Sequence, residues 1–339
     1  MEESFLFLLL SYALTSTLSQ RERARLPAKS WHTPSSLGSL GALQMCCRMR
    51  RLNRPGERAT LKTRTQVRIL LSLVSVCLCP SFAHAQDNYE IQVYPSETVS
   101  RGVTMVELHN NFTAKGPKKT DDGTLPTNHA WHETIEITHG FNDWFETGFY
   151  IFTSARNGSG WDFVGTHIRP RFRVPPKWHW PLGVSLSQEI GYVRRKFSED
   201  TWSWEIRPII DKELKRWYVS FNPAIERALN GPGAKRGFTF APNFKVAYSI
   251  TKKIDGGLEY YGALGPLTGF DPKRDQQHQI FPAIDLNVSP KWEFNFGVGI
   301  GMTRSTDHLI FKMIIGRRFT FGRKQSGSGN SGVTSVDEP

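Results

Sequence analysis

The chain has 339 residues, among them 29 Gly and 20 Pro, with 12% aromatics and a formal net charge of +12. Residues 1–85 carry 12 of the basic and 4 of the acidic side chains, so the remainder holds 31 basic against 27 acidic residues and a net charge of only +4. That excludes a nucleic-acid-binding stripe in the remainder. All four cysteines (Cys46, Cys47, Cys77, Cys79) lie in the same N-terminal stretch, which excludes a disulfide framework or a thiolate metal site after it.

Residues 1–48 are rich in Ser, Arg and Leu without any period. They read as an upstream extension, with Met45 or Met49 the expected start. In 49–85, Arg50, Arg51, Arg54, Arg58, Lys62, Arg64 and Arg68 precede the apolar run 69–78 and then Ala83-His84-Ala85. A basic region, a short apolar region and Ala-x-Ala make a secretory signal, with cleavage expected after Ala85. Residues 86–100 are polar apart from a short alternation at Ile91 and Val93, and read as a periplasmic lead-in.

From residue 101 the pattern changes to period two. The stretch 103–113 sets Val106, Leu108 and Phe112 against Glu107, His109 and Asn111; a polar loop follows, and the next strand sets Ile135 and Ile137 against Glu136 and Thr138. After the turn 140–143, Phe145, Phe149 and Ile151 alternate with Glu146, Gly148 and Tyr150. Around 163–174, Val164, Ile168 and Phe172 are expected outward and His167, Arg169, Arg171 and Arg173 inward, because arginines at alternate positions are expelled from a lipid face. Further strands follow at 184–192, 202–211, 217–226, 238–248, 255–260 and 280–288, with Glu189, Glu205, Arg207, Lys245 and Asp285 among their inward residues.

The closing hairpin, 292–321, has the longest alternation. Trp292, Phe294, Phe296, Val298, Ile300 and Met302 share one parity, and Glu293, Asn295, Gly297, Gly299 and Gly301 the other. Soluble strands alternate over about 4–8 residues, whereas a tilted strand crossing a bilayer needs roughly 9–11. The expected fold is therefore an all-β, up-and-down antiparallel transmembrane barrel of about 12 strands over 101–321, followed by a disordered tail at 322–339.

Short connections such as 140–143 and 251–253 alternate with longer polar ones such as 265–277. By the outer-membrane pattern the short rim and both termini are periplasmic, and Trp144, Trp217 and Trp292, each just after a short turn, form an aromatic girdle there. Pro170, Pro208, Pro223, Pro242 and Pro282 fall inside strands at outward positions. They lack the N–H that a closed ladder needs, so bulges or water-bridged carbonyls are expected around them.

The segments EIQVY (90–94), LHNNFT (108–113), LEYYG (258–262), QHQIFP (277–282) and KWEFNFG (291–297) resemble the Gram-negative outer-membrane barrels grouped with the phenol-degradation-pathway (MetA-type) proteins. The resemblance spans roughly 90–321 and implies a bacterial outer-membrane transport protein for small molecules, with no catalytic residue to carry over.

Candidate function rests on the inward charges. His167, Arg169, Arg171 and Arg173, together with Glu146, Glu189, Glu205 and Arg207, are the expected lumen-lining selectivity residues of a channel for small anionic or aromatic solutes. The alternative is a plugged structural or binding barrel in which these charges pair. A lipid-modifying enzyme ranks third, since it needs Ser and His together on the lipid face and only His139 points there. His132-Glu133 begins a zincin-like motif, but position 136 is Glu and a strand separates i from i+4 by about 13 Å. Gly297, Gly299 and Gly301 lack the final glycine and the helix of a dinucleotide loop, and are expected to make room for bulky neighbours. No catalytic residue, metal or cofactor is expected. The expected partners are outer-membrane lipid, a small-molecule solute and the barrel-assembly machinery, with no nucleic acid.

Overall fold

The computed structural model describes residues 88–320 apart from Asp121, Asn157 and Ser159. The upstream extension, the signal segment with its cleavage after Ala85, and the tail lie outside the described residues.

Twelve long strands form the wall: β1 (Val103–Lys115), β2 (Ala130–Asn142), β3 (Phe145–Arg156), β4 (Gly160–Arg173), β5 (Gly183–Val193), β6 (Trp202–Leu214), β7 (Trp217–Ala228), β8 (Thr239–Thr251), β9 (Ile254–Ala263), β11 (Gln277–Leu286), β12 (Trp292–Gly301) and β13 (Leu309–Thr320), with a two-residue β10 (Gly265–Pro266) beside β8. Each long strand pairs antiparallel with the next, β8 pairs with β9, and β13 returns to β1 from Val103↔Thr320 to Lys115↔Leu309. The sheet closes into a barrel without a free edge, as the alternation requires. No described helix is long and apolar enough to cross a membrane; the strands, 10 to 14 residues each, have the length to do so.

Outward positions carry exposed apolar side chains, including Ile137, Phe149, Ile168, Phe172, Ile190, Phe221, Phe296, Val298 and Phe311. Inward positions carry buried polar ones, including Glu107, His109, Thr134, Glu136, Glu146, Ser187, Asn222 and Lys312. Such a protein is inside out relative to a soluble domain, and only an apolar solvent makes the arrangement favourable. Val298→Arg is therefore expected to impair assembly by about 2–4 kcal/mol, and Asn295→Arg on the inner face less. Refolding yields into lipid vesicles measure both, and equal losses would mean the parity is wrong.

Val164 departs from its expected outward position. The β3–β4 register slips between Phe152↔Gly165 and Thr153↔Phe163. The extra residue is Val164, which turns into the barrel and is fully buried.

The bulges expected around the prolines are absent. The prolines interrupt the ladder without shifting its register. The β4–β5 pairs stop at Ile168↔Ile190 and resume at Arg171↔Ser187, skipping Pro170. The β11–β12 pairs likewise skip Pro282. Pro223 stands directly opposite Pro242, and the β6–β7 ladder is missing between Ile206↔Ile225 and Ile210↔Phe221, which is where Pro208 faces Pro223. Each proline withholds one N–H from one neighbour, and gathering three of them on adjacent strands confines the loss to one place. The register slips lie elsewhere: near Thr113, near Gly140, at Val164 and near Ser249.

Candidate functional site

The lumen is occupied by the chain itself. Residues 88–100, expected in the periplasm, run through the barrel from one rim to the other. At one end the Asn88 side-chain amide meets the Asp307 carboxylate, in the long connection between β12 and β13. Burial raises the Asp307 carboxyl above its ordinary range, against the pull of its hydrogen bonds from Thr127, Asn88 and Thr113. At the other end Val103 N bonds Ser100 O and Gly102 N bonds Gly140 O, beside the short β2–β3 turn. The chain enters at the long-loop rim and leaves at the short-turn rim to begin β1.

An extended strap inside a barrel has N–H and C=O groups that water cannot reach, and each needs a partner. Side chains of the wall supply them. Asn111 Nδ2 donates to Asn88 O, Thr134 Oγ1 to Tyr89 O, Lys312 Nζ to Ile91 O, and Ser220 and Asn222 both to Tyr94 O. Arg171 donates to Pro95 O (2.9 Å) and Glu97 O (2.8 Å). In the opposite sense Tyr94 N donates to Asn222, Ser96 N to Asp211, and Val99 N to Glu146. Among the described residues, no backbone–backbone bond joins 88–99 to the wall. The inward polar face is thus largely a set of ligands for a peptide.

Apolar strap residues close what remains. Ile91 and Val93 pack with Tyr261, Phe281 and Ile310, and Tyr89 packs with Tyr150, Phe152 and Val164. Gly299 allows the first cluster, since a Cβ there would strike the Phe281 ring. This meets the expectation that the glycines of β12 make room for a bulky neighbour. His132 stands edge-on to Tyr89 with ring centroids 4.8 Å apart, as packing rather than as part of a motif.

The expected selectivity residues gather around Tyr94. Its ring lies 4.3 Å from the Arg169 guanidinium, 5.1 Å from Arg207 and 5.7 Å from Arg171, and its hydroxyl meets Glu90 and Tyr150. Arg169 pairs with Glu136 and lies 3.9 Å from Glu146; Arg171 pairs with Glu146 at 2.6 Å; Arg207 pairs with Glu205 at 2.7 Å; His167 meets Glu189. Arg173 stands half-buried at the short-turn rim. His167, Arg169 and Arg171 are consequently neutralised by carboxylates, and the strap covers this part of the ladder. Sequence reasoning placed these side chains inward but missed Tyr94, on which they converge.

A cavity of about 610 Å³ survives between the strap and the wall toward the short-turn rim, lined among others by Pro95, Tyr218, Lys245, Glu259, Asp285 and Asn295. At the same rim Trp144 stacks on Phe172, Trp217 packs against Tyr248, and Trp292 stacks on Phe294 with Arg317 over it. The structure thus puts all three tryptophans of the expected girdle beside short turns.

No family model matches the chain, and no curated protein does. Among solved structures it is similar to the KdgM porin in complex with disordered oligogalacturonate (13% identity, 65% of this chain and 99% of that chain, TM-score 0.38). It is also similar to the NanC porin (9%, 62% and 97%, TM-score 0.41) and to the Acinetobacter baumannii outer membrane protein Omp33 (9%, 65% and 98%, TM-score 0.39). At this level the likeness is to barrels in general; the fold assignment rests on the closed ladder itself.

Proposed function

We propose that the protein is an outer-membrane channel for small solutes whose lumen is held closed by residues 88–100. The observation that carries this reading is the way the strap is attached. Side chains hold it and no ladder does, so it can shift without opening the sheet, whereas a strand added to the wall could not. The cavity on the short-turn side supplies a vestibule, and its mixture of Lys245, Glu259, Asp285 and Tyr218 fits small polar or aromatic solutes better than one sign of charge. The resemblance of the segments at 90–94, 258–262 and 291–297 to the MetA-type group supports a place in the outer membrane. With the arginine ladder neutralised, a preference for anions is not part of this reading.

A plugged structural barrel is the second reading, favoured by the two apolar clusters that seal the strap. Uptake of benzoate and of arabinose into proteoliposomes separates the two. The channel reading expects uptake above protein-free vesicles, increased when residues 88–100 are removed. No uptake from the intact form, with the strap-deleted form folded and leaky, would establish the structural barrel instead.

A further inference from the structure

The inner face carries a carboxylate that the strap does not use. Glu107 on β1 stands directly opposite Glu136 on β2, and His109 is the next inward residue along β1. All three are buried, with Glu107 5% and His109 0% exposed. Two carboxylates at this spacing repel, and an unpaired ion in a dry interior costs several kcal/mol. Nearby charges do not compensate both. Arg171 is committed to Glu146, and Arg169 to Glu136 and Glu146, so three carboxylates face two guanidiniums. Arg318, the next cation along the wall, is paired with Glu293. Glu107 Oε1 and His109 Nδ1 are buried with no hydrogen-bond partner.

We propose that Glu107, His109 and Glu136 bind a divalent transition-metal ion of the zinc type. One ligand atom from each lies within 4.8 Å of the other two. The 3.2 Å between His109 Nε2 and Glu136 Oε2 matches the edge of a coordination polyhedron with bonds of about 2.0–2.2 Å, whose edges are roughly 3.0–3.5 Å. One imidazole with two carboxylates is a donor set for Zn²⁺ or Mn²⁺, and is too nitrogen-rich to favour Ca²⁺. The outer partners are in place as well. Thr138 Oγ1 (2.7 Å) and Arg169 Nη2 both donate to Glu136 Oε1, leaving Oε2 on the side of His109. Such bonds to the distal oxygen orient a metal-bound carboxylate. Gly316, opposite Glu107 on β13, keeps the space, since a Cβ there would press on Glu107 Cγ at 3.0 Å. A cation supplies the positive charge that the cluster lacks and gives Glu107 Oε1 a partner, in place of the sequence expectation of no metal.

The site does not depend on whether the barrel conducts, so its test is separate. The full folded chain, purified in detergent and stripped with a chelator, is titrated with Zn²⁺ by calorimetry, and with Co²⁺ for its visible absorption. The expected result is about one saturable ion per chain. Affinity should fall about tenfold or more in Glu107→Gln and in His109→Asn, with Glu199→Gln in a distant loop unchanged. Heat-dependent gel mobility confirms that each variant is folded. Absence of saturable binding to the folded barrel overturns the proposal, and so does binding that neither Glu107→Gln nor His109→Asn weakens.

Discussion

Deleting residues 88–100 is expected to turn a barrel that conducts rarely and briefly in planar bilayers into one that conducts steadily. The strap fills the lumen between Tyr94 and both apolar clusters, and among the described residues no second segment crosses it. Ordering each strap residue costs about 1–2 kcal/mol, while each hydrogen bond to it contributes about 0.5–1.5 kcal/mol net. The bonds return only part of that cost, and the apolar anchors then decide the balance. Ile91, buried among Tyr261, Phe281 and Ile310, is the anchor to remove first. Ile91→Ala should weaken the closed state by about 2–5 kcal/mol, which at tenfold per 1.4 kcal/mol is about 30-fold or more in the closed-to-open ratio. Single-channel open probability reads this directly. An unchanged closed trace after both the substitution and the deletion would show that the strap is not the gate.

Arg171→Ser is expected to destabilise the barrel by about 3–5 kcal/mol, the effect of stranding a buried ion. Glu146 is fully buried, and the guanidinium that pairs with it at 2.6 Å also holds the strap carbonyls of Pro95 and Glu97. Arg169, 3.9 Å away, is engaged with Glu136 and is a poor substitute. Adding Glu146→Gln to Arg171→Ser should recover part of the loss, because the neutral amide no longer needs a counter-charge. Urea midpoints of reversible folding into lipid vesicles measure all three proteins. A single substitution that is neutral would mean that water, not the strap, surrounds these groups.

The wall was legible because lipid imposes a strict period. Trp292 to Met302 alternate without a break, and a parity pattern of that length admits one face in hydrocarbon and the other inside. Val164 was not legible, since a bulge adds one residue without any mark in composition, and every later assignment on that strand still looks regular. The strap was hidden for another reason. Its Ile91 and Val93 alternate too briefly to announce a buried segment, and Asn111, Thr134, Ser220 and Asn222 would face inward equally well toward water or toward a peptide backbone. The signal that could have separated these is the inward aromatics. Tyr150, Phe152, Tyr261 and Phe281 are all fully buried, and four such rings are out of place in a water-filled lumen but apt for closing on a strap. Glu107 beside Glu136 could not be read as a metal site, because their juxtaposition depends on the β1–β2 register.

The central claim is that residues 88–100 lie inside the barrel, and Ser96 with Asp211 tests it most directly. Ser96 Oγ donates to Asp211 Oδ1 at 2.7 Å across the lumen, and the chain after residue 85 has no cysteine of its own. The double variant Ser96→Cys, Asp211→Cys, oxidised in folded barrels, is expected to form an internal disulfide in nearly every molecule, seen as a mobility shift that reduction reverses. Free thiols that instead react fully with a membrane-impermeant maleimide would place the segment outside the barrel and contradict the account.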